Sequence, residues 1–374
     1  MTKSPSSPPA KSHYEILDGL RGVASIMVVC FHILETYSGD RFHQVINHGY
    51  LAVDFFFVLS GFVVAYAYDD RWTKMGTWDF CKRRLIRLQP MVIIGMIFGA
   101  ALFYFQGGAA FPLVNSTPVW KMLLVMLLGF TLLPLPVSMD IRGWREMHPL
   151  DGPAWSLFFE YIANLLYAAW IRKFSKKQLT VFVVLAGLFL LQYLLVGSQD
   201  DDVIGGWSAD KTQLHIGLAR VLYPFFAGIL LMRTGKLIKI KGAFPICSLL
   251  LIVIFSIPRI GGEEHLWMNG LYESVCIILL FPLIVVIGAG GSMRGETTIK
   301  ICKFLGALSY PLYIIHFPLI CTYWAWVKDH QVPFSTGLRA GLGVLIASIA
   351  LAYAALKWYD EPVRKWLAGK FLKK

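Results

Sequence analysis

At 374 residues, 56% hydrophobic and only 16% charged, the chain is too apolar for a soluble globular domain. A mean hydropathy of +0.59, carried by repeated apolar runs of about 16 to 23 residues, predicts an all-α polytopic membrane protein. The net charge of +12 sits in short loops between those runs, a topology pattern that argues against nucleic acid as a partner.

The first fifteen residues, MTKSPSSPPAKSHYE, are rich in Pro and Ser and predict a disordered cytoplasmic N-terminus. The apolar stretch after them does not read as a cleavable signal, because it is long, carries Asp18 and Arg21 and lacks a small-residue cleavage site. Leu17 to Ile33, LDGLRGVASIMVVCFHI, is apolar enough to cross a membrane. Yet at about 100° per residue Asp18, Arg21, Ser25, Val29 and His32 fall on one stripe, with His32 about 16 Å beyond Arg21. Ionisable groups at such depth are costly and default to a functional role. An imidazole suits general-base or acyl-accepting work, so His32 is the sharpest catalytic candidate; an interhelical hydrogen bond is the plainer reading. Arg21 fits an anion contact and the anchor of its helix equally well.

The second run, GYLAVDFFFVLSGFVVAY from Gly49, holds Asp54, which needs a cation or donor partner inside the bundle. Its Ser60-Gly61 also fits a simple close-packing point between helices. In CKRRLIRLQP, from Cys81, Lys82 and Arg83 read as topology signals, whereas Arg84 and Arg87 face one way and suit a polyphosphate. Pro90 is expected to end this loop before the third span. DGPAWSLFFEY, from Asp151, places Glu160 about two turns into a helix opened by Pro153. There it could orient an imidazole, bind a sugar hydroxyl or make an interhelical bond. LSYPLYIIHFPLI, from Leu308, carries Ser309, Tyr313 and His316 in a span expected to break at Pro311 and Pro318. The last span runs into WYDEPVRKW, where Glu361-Pro362 is expected to end the helix. Asp360 or Glu361 could pair there with the basic 82–87 stretch.

Eleven apolar runs lie between basic loops that fix orientation, and three of them fall between two inside loops. One must fail to cross, and 119–137, ending in Pro134-Leu135-Pro136, is the choice as a re-entrant or interfacial helix. The expectation is therefore about ten transmembrane helices plus one such helix, with both termini cytoplasmic. The membrane domain covers 16–363 and a basic cytoplasmic tail 364–374. The six cysteines lack paired spacing and read as buried apolar groups. No P-loop, C-x-x-C or H-E-x-x-H motif occurs, so no metal is expected.

Six of these stretches, in order from Leu17 to Arg364, resemble the signatures of integral-membrane acyltransferase family 3, bacterial membrane O-acyltransferases of surface glycans. They are LDGLRGVASIMVVCFH, VDFFFVLSGFV, the RRLIR pair, WSLFFE, SYPLYIIHFP and the terminal DEP. The resemblance implies an inner-membrane enzyme moving an acyl group from cytoplasmic acyl-CoA, often acetyl-CoA, to a polysaccharide or glycolipid hydroxyl. It implies that Arg84 and Arg87 contact the coenzyme A phosphates, that His32 is essential and that Arg21, Ser60, Glu160 and Tyr313 line the path. To this our own reading of the residues adds Arg83 and Arg21 at the donor, and Glu160 and then Asp54 as the groups that orient His32. Ser60, Trp155, Tyr313 and His316 fall along the substrate path. Relatives often carry an appended periplasmic esterase-like domain; this chain is expected to act as the standalone form, among membrane lipids. The competing reading is a proton-coupled transporter or flippase of a lipid-linked sugar, although no internal repeat of the kind carriers show is apparent.

Overall fold

The computed structural model describes residues 13–372 except 41, 199 and 294. Most of the stretch expected to be a disordered N-terminus lies outside them. Among these residues thirteen α-helices succeed one another: α1 Glu15–Glu35, α2 Ala52–Tyr68, α3 Thr77–Leu102, α4 Val119–Gly129, α5 Ala154–Ala169, α6 Lys176–Gln192, α7 Lys211–Thr234, α8 Ala243–Ser256, α9 Leu266–Val275, α10 Phe281–Gly290, α11 Glu296–Asp329, α12 Phe334–Ala355 and α13 Glu361–Phe371. No β-strand occurs among the described residues.

Among the described residues eight helical stretches are long and apolar enough to cross a membrane, where about 20 residues are needed. α9 and α10 run together as one of them and α12 and α13 as another, each pair joined by a single wide turn. The other three apolar runs form shorter helices. α4 has 11 residues, α8 has 14 and α5 has 16. The 119–137 run thus forms the shortest helix of the three, stopped at Gly129 before Leu132 takes φ +58°.

Prolines expected to end helices do not. Pro90 lies inside α3, so the basic stretch is itself helical, and α11 runs unbroken for 34 residues through Pro311 and Pro318. At Pro362 the wide turn Leu356–Asp360 takes up one extra residue, and the proline sits in the first turn of α13, where no N–H is required. The expected tail is consequently helical to Phe371 and packs on α3. Asp360 pairs with Arg364 at 2.9 Å and Glu361 with Lys357 at 2.5 Å, both within their own helical stretch and not with residues 82–87.

Small residues set the central contacts, as expected where backbones must approach closely without a hydrophobic drive. α1 lies along α11 so tightly that a Cβ on Gly22 would meet the Leu305 carbonyl oxygen at 2.6 Å. Gly61 of α2 and Gly228 of α7 each abut the other helix's backbone, at Phe225 and Val58. Ser60-Gly61 therefore divides its labour: Gly61 packs, while Ser60 bonds elsewhere.

Candidate functional site

Two cavities open back to back along α1. One, of about 420 Å³, is lined by Asp18, Arg21 and Ser25; the other, of about 580 Å³, is lined by Val28, Phe31, His32 and Glu35. The polar stripe of α1 thus feeds both, and most of it is spent on α11. Arg21 donates from Nε to Ser309 Oγ at 2.8 Å and from Nη2 to the Gly306 carbonyl at 3.0 Å, while Asp18 lies 3.2 Å from its Nη2. Ser25 donates to the Ser309 carbonyl at 3.1 Å.

The first cavity is basic. Arg21, Arg84, Arg87, Lys303 and Arg364 face it together with Asp18, Glu160, Asp360 and Glu361. At its depth Arg84 is buried and donates to Glu160 Oε1 at 2.5 Å, and Ser60 Oγ donates to the same oxygen at 2.5 Å. Three residues from three helices thereby close one neutral knot. Arg87 has no hydrogen-bond or ion-pair partner among the described residues. Arg87 also borders an adjoining cleft with Arg71, Arg83, Arg364, Lys365 and one carboxylate, Glu361. Unbalanced positive charge therefore gathers at the mouth, where Arg83 and Arg87 stand, and not at Arg84. Such a mouth fits phosphate groups.

The second cavity is aromatic, with Trp144, Trp155, Trp207 and Trp324 around His32. His32 donates from Nδ1 to Glu35 Oε2 at 2.9 Å. In the neutral ring that bond places the proton on Nδ1 and leaves the lone pair on Nε2. Trp324 Nε1 holds the His32 backbone carbonyl at 2.8 Å, and the His316 ring stacks on the His32 ring with centroids 5.7 Å apart. His316 itself is fully buried, bonded through Nδ1 to the Leu312 carbonyl, and backs His32 instead of lining the cavity.

Glu160 and Asp54, the two carboxylates expected beside His32, are spent elsewhere. Glu160 is held in the basic cavity by Arg84 and Ser60. Asp54 is fully buried against Arg220, with Oδ2 accepting from Nη2 at 2.7 Å and Oδ1 from Nε at 3.3 Å. Arg220 in turn underlies Trp155, 5.1 Å from its ring, and faces the aromatic cavity. The group on His32 is Glu35, whose signal in the sequence is its place three residues on, on the same helix face.

A second missed carboxyl is Glu146, in the non-helical stretch between α4 and α5. The Asp140 carboxylate ties that loop by accepting from the backbone N–H of Arg142, Gly143 and Arg145 at 2.9, 3.1 and 2.9 Å. Arg142, fully buried between the rings of Phe111 and Phe317, donates to Glu146 Oε2 at 3.2 Å. Burial pushes the Glu146 carboxyl up to about 7, against the pull of Arg142, and it faces the cavity that holds His32. In the same loop burial holds His148 down to about 3, neutral and dry.

One layer of side chains separates the two cavities. Tyr313 and Val53 line both. On α1 the boundary falls between Ser25 and Val28, and on α5 between Trp155 and Ser156. Tyr313 and Ser156 share a hydroxyl–hydroxyl bond of 2.8 Å, and Tyr313 also donates to the Pro153 carbonyl at 3.3 Å. Among the described residues no group of three or more His, Cys, Asp or Glu is placed to hold a metal ion.

A family model described as an acyltransferase domain matches residues 14–357. The chain is 32% identical over 197 residues to Protein 2 in picA locus from Rhizobium radiobacter, a match covering 50% of this chain and 95% of that protein. It is 23% identical over 371 residues to the O-acetyltransferase OatA of Staphylococcus aureus strain NCTC 8325 / PS 47, covering 93% of this chain and 57% of that one. The chain thus spans a little over half the length of the S. aureus protein. No solved structure matches it.

Proposed function

The chain belongs to the acyltransferase family whose match runs from residue 14 to 357, and from that premise we propose a membrane O-acyltransferase that takes its acyl group, acetyl in the simplest case, from acyl-CoA. The donor enters the basic cavity from the cytoplasm and the acceptor, a sugar hydroxyl of a polysaccharide or glycolipid, occupies the aromatic cavity on the far side of a bacterial inner membrane. The carrying observation is the Glu35–His32 pair at the wall of a cavity lined by four tryptophans. Indole faces suit the C–H faces of sugar rings, and a fixed imidazole suits removal of a hydroxyl proton.

In this reading Arg83 and Arg87, with Arg71, Arg364 and Lys365 around them, hold the phosphates at the mouth. Arg84 acts through Glu160 and Ser60, shaping the inner end where the pantetheine arm lies. His32 Nε2 then accepts the proton of the acceptor hydroxyl as its oxygen bonds to the thioester carbonyl carbon. The C–S bond breaks, the thiolate leaves, and the imidazolium returns a proton to sulfur. Alternatively Nε2 itself bonds to the acyl carbon as the C–S bond breaks and the thiolate leaves; the hydroxyl oxygen then takes the acyl group from Nε2, and its proton passes to the thiolate. In both routes the Glu35 carboxylate faces the positive charge that develops on the ring.

Thiol release from acetyl-CoA by the purified protein in the presence of candidate glycans tests this. His32→Ala is expected to fold and bind acyl-CoA yet transfer nothing. Ordinary turnover by that variant defeats the assignment, and movement of a lipid-linked sugar without donor consumption would favour a carrier instead.

A further inference from the structure

We propose that the wall between the cavities, chiefly Val53 with Tyr313, gauges the size of the acyl group that is transferred. The inference rests on the proposed function, in which the donor lies on one side of that wall and His32 on the other.

The wall is thin and well held. On α1 the residues flanking it, Ser25 and Val28, are separated by about 4.5 Å along the helix axis. Among the described residues only Val53 and Tyr313 line both cavities, and they are 8% and 7% exposed. The Tyr313 ring is fixed at its hydroxyl by Ser156, at 2.8 Å, and in an edge contact with Phe56, with centroids 5.7 Å apart. Val53 rides on α2, whose backbone is locked against α7 at Gly61 and Gly228. The phenol ring is therefore pinned at two points, and Val53 is carried on a fixed backbone.

Tyr313 and His32 pack on the same buried ring, that of His316, with centroids 6.0 and 5.7 Å from it. A thioester that reaches His32 from the basic cavity brings its carbonyl carbon up to this wall. Its alkyl tail must then fit beside the Val53 methyl groups and the phenol ring. An acetyl methyl makes the smallest demand, and each further methylene crowds the Val53 methyl groups and the pinned phenol ring. One methylene in a close apolar fit changes selectivity about tenfold or more.

The test uses membrane vesicles from cells lacking the chromosomal copy and expressing either the full chain or a variant, so that the cell's own glycans serve as acceptors. Radiolabelled acetyl-, propionyl-, butyryl- and hexanoyl-CoA are supplied, and label in glycan is read as the butyryl-to-acetyl ratio within each variant, which cancels differences in folded amount. Val53→Ala is expected to raise that ratio about tenfold. Val63→Ala, the same deletion at a residue facing the basic cavity alone, is expected to leave it unchanged. Tyr313→Phe, freed from Ser156, is expected to move it in the same direction as Val53→Ala. An unchanged ratio in Val53→Ala with acetyl transfer retained, or an equal rise in Val63→Ala, overturns the gauge. Absence of label from every donor in the unaltered protein defeats the donor reading itself, and the gauge with it.

Discussion

Glu35 Oε2 lies 2.9 Å from Nδ1 of His32, three residues away on the same helix, so the imidazole arrives at its cavity already oriented. Losing the carboxylate charge while keeping an acceptor separates orientation from electrostatics. Glu35→Gln is expected to lower kcat roughly a hundredfold, the usual worth of a positioned acid–base pair, with little change in the KM for the acyl donor. Glu35→Asp should fall between. Steady-state thiol release at varied acetyl-CoA reads both constants, and a variant with unimpaired kcat removes Glu35 from the mechanism.

Arg84 and Arg87, three residues apart on α3, are expected to fail in different ways. Arg84 is buried and its loss strands Glu160, a situation that costs about 3–5 kcal/mol when one partner of a buried pair is removed. Arg84→Ala should therefore lose thermal stability, and Arg84→Met with Glu160→Leu should recover much of it without recovering activity. Arg87 has no such partner, so Arg87→Ala should keep its Tm and raise the donor KM several-fold. Melting curves in detergent beside donor titrations decide it; an unchanged donor KM in Arg87→Ala would confine the residue to topology.

The apolar runs are legible in the sequence because hydropathy is a local property, and each of the eleven is helical. Their lengths are not, because proline in a sequence reads as a stop. Pro90, Pro311 and Pro318 lie inside helices, and Pro362 sits in the first turn of α13 after a wide turn. The stripe on α1 is visible as a periodicity, but its destination is not: Ser309 lies 288 residues away in sequence. Pairing is hidden for the same reason. Glu160 looks available for His32 only because Arg84, 76 residues earlier, carries no mark of being its partner. Glu35 is masked by position, at the end of α1 and so easily taken for a solvated terminus. The loop carrying Arg142 and Glu146 has no periodicity at all to betray it.

Asp54 tests the difference between a buried charge and a catalytic one. Both its oxygens are taken by Arg220, and that guanidinium also donates to the backbone carbonyls of Tyr50 and Gly205, at 2.9 and 3.3 Å. Asp54→Asn should cost several kcal/mol, within the range of about 3–5 for a severed buried pair. The folded fraction should still turn over, because His32 and Glu35 are untouched. Activity normalised to folded protein, measured by size-exclusion fluorescence, checks this; a well-folded but inactive Asp54→Asn protein would restore it to the mechanism.

Glu146 makes stability depend on pH in a direction opposite to that of an ordinary paired carboxylate. Burial raises its pKa from 4.5 to about 7 in the folded protein. Between those values the folded chain keeps a proton that the unfolded chain has already lost, so unfolding releases it. Stability therefore declines as pH rises through about 4.5 to 7 and levels off above, a total on the order of 3 kcal/mol if the whole shift is realised. Glu146→Gln keeps an acceptor for Arg142 but cannot ionise. Its melting temperature should change less between pH 5.5 and pH 8 than that of the unaltered protein, by a few degrees, and should exceed it at the alkaline end. Parallel melting profiles across that interval would show that Arg142 holds the carboxylate charged, and that burial is not what governs its proton.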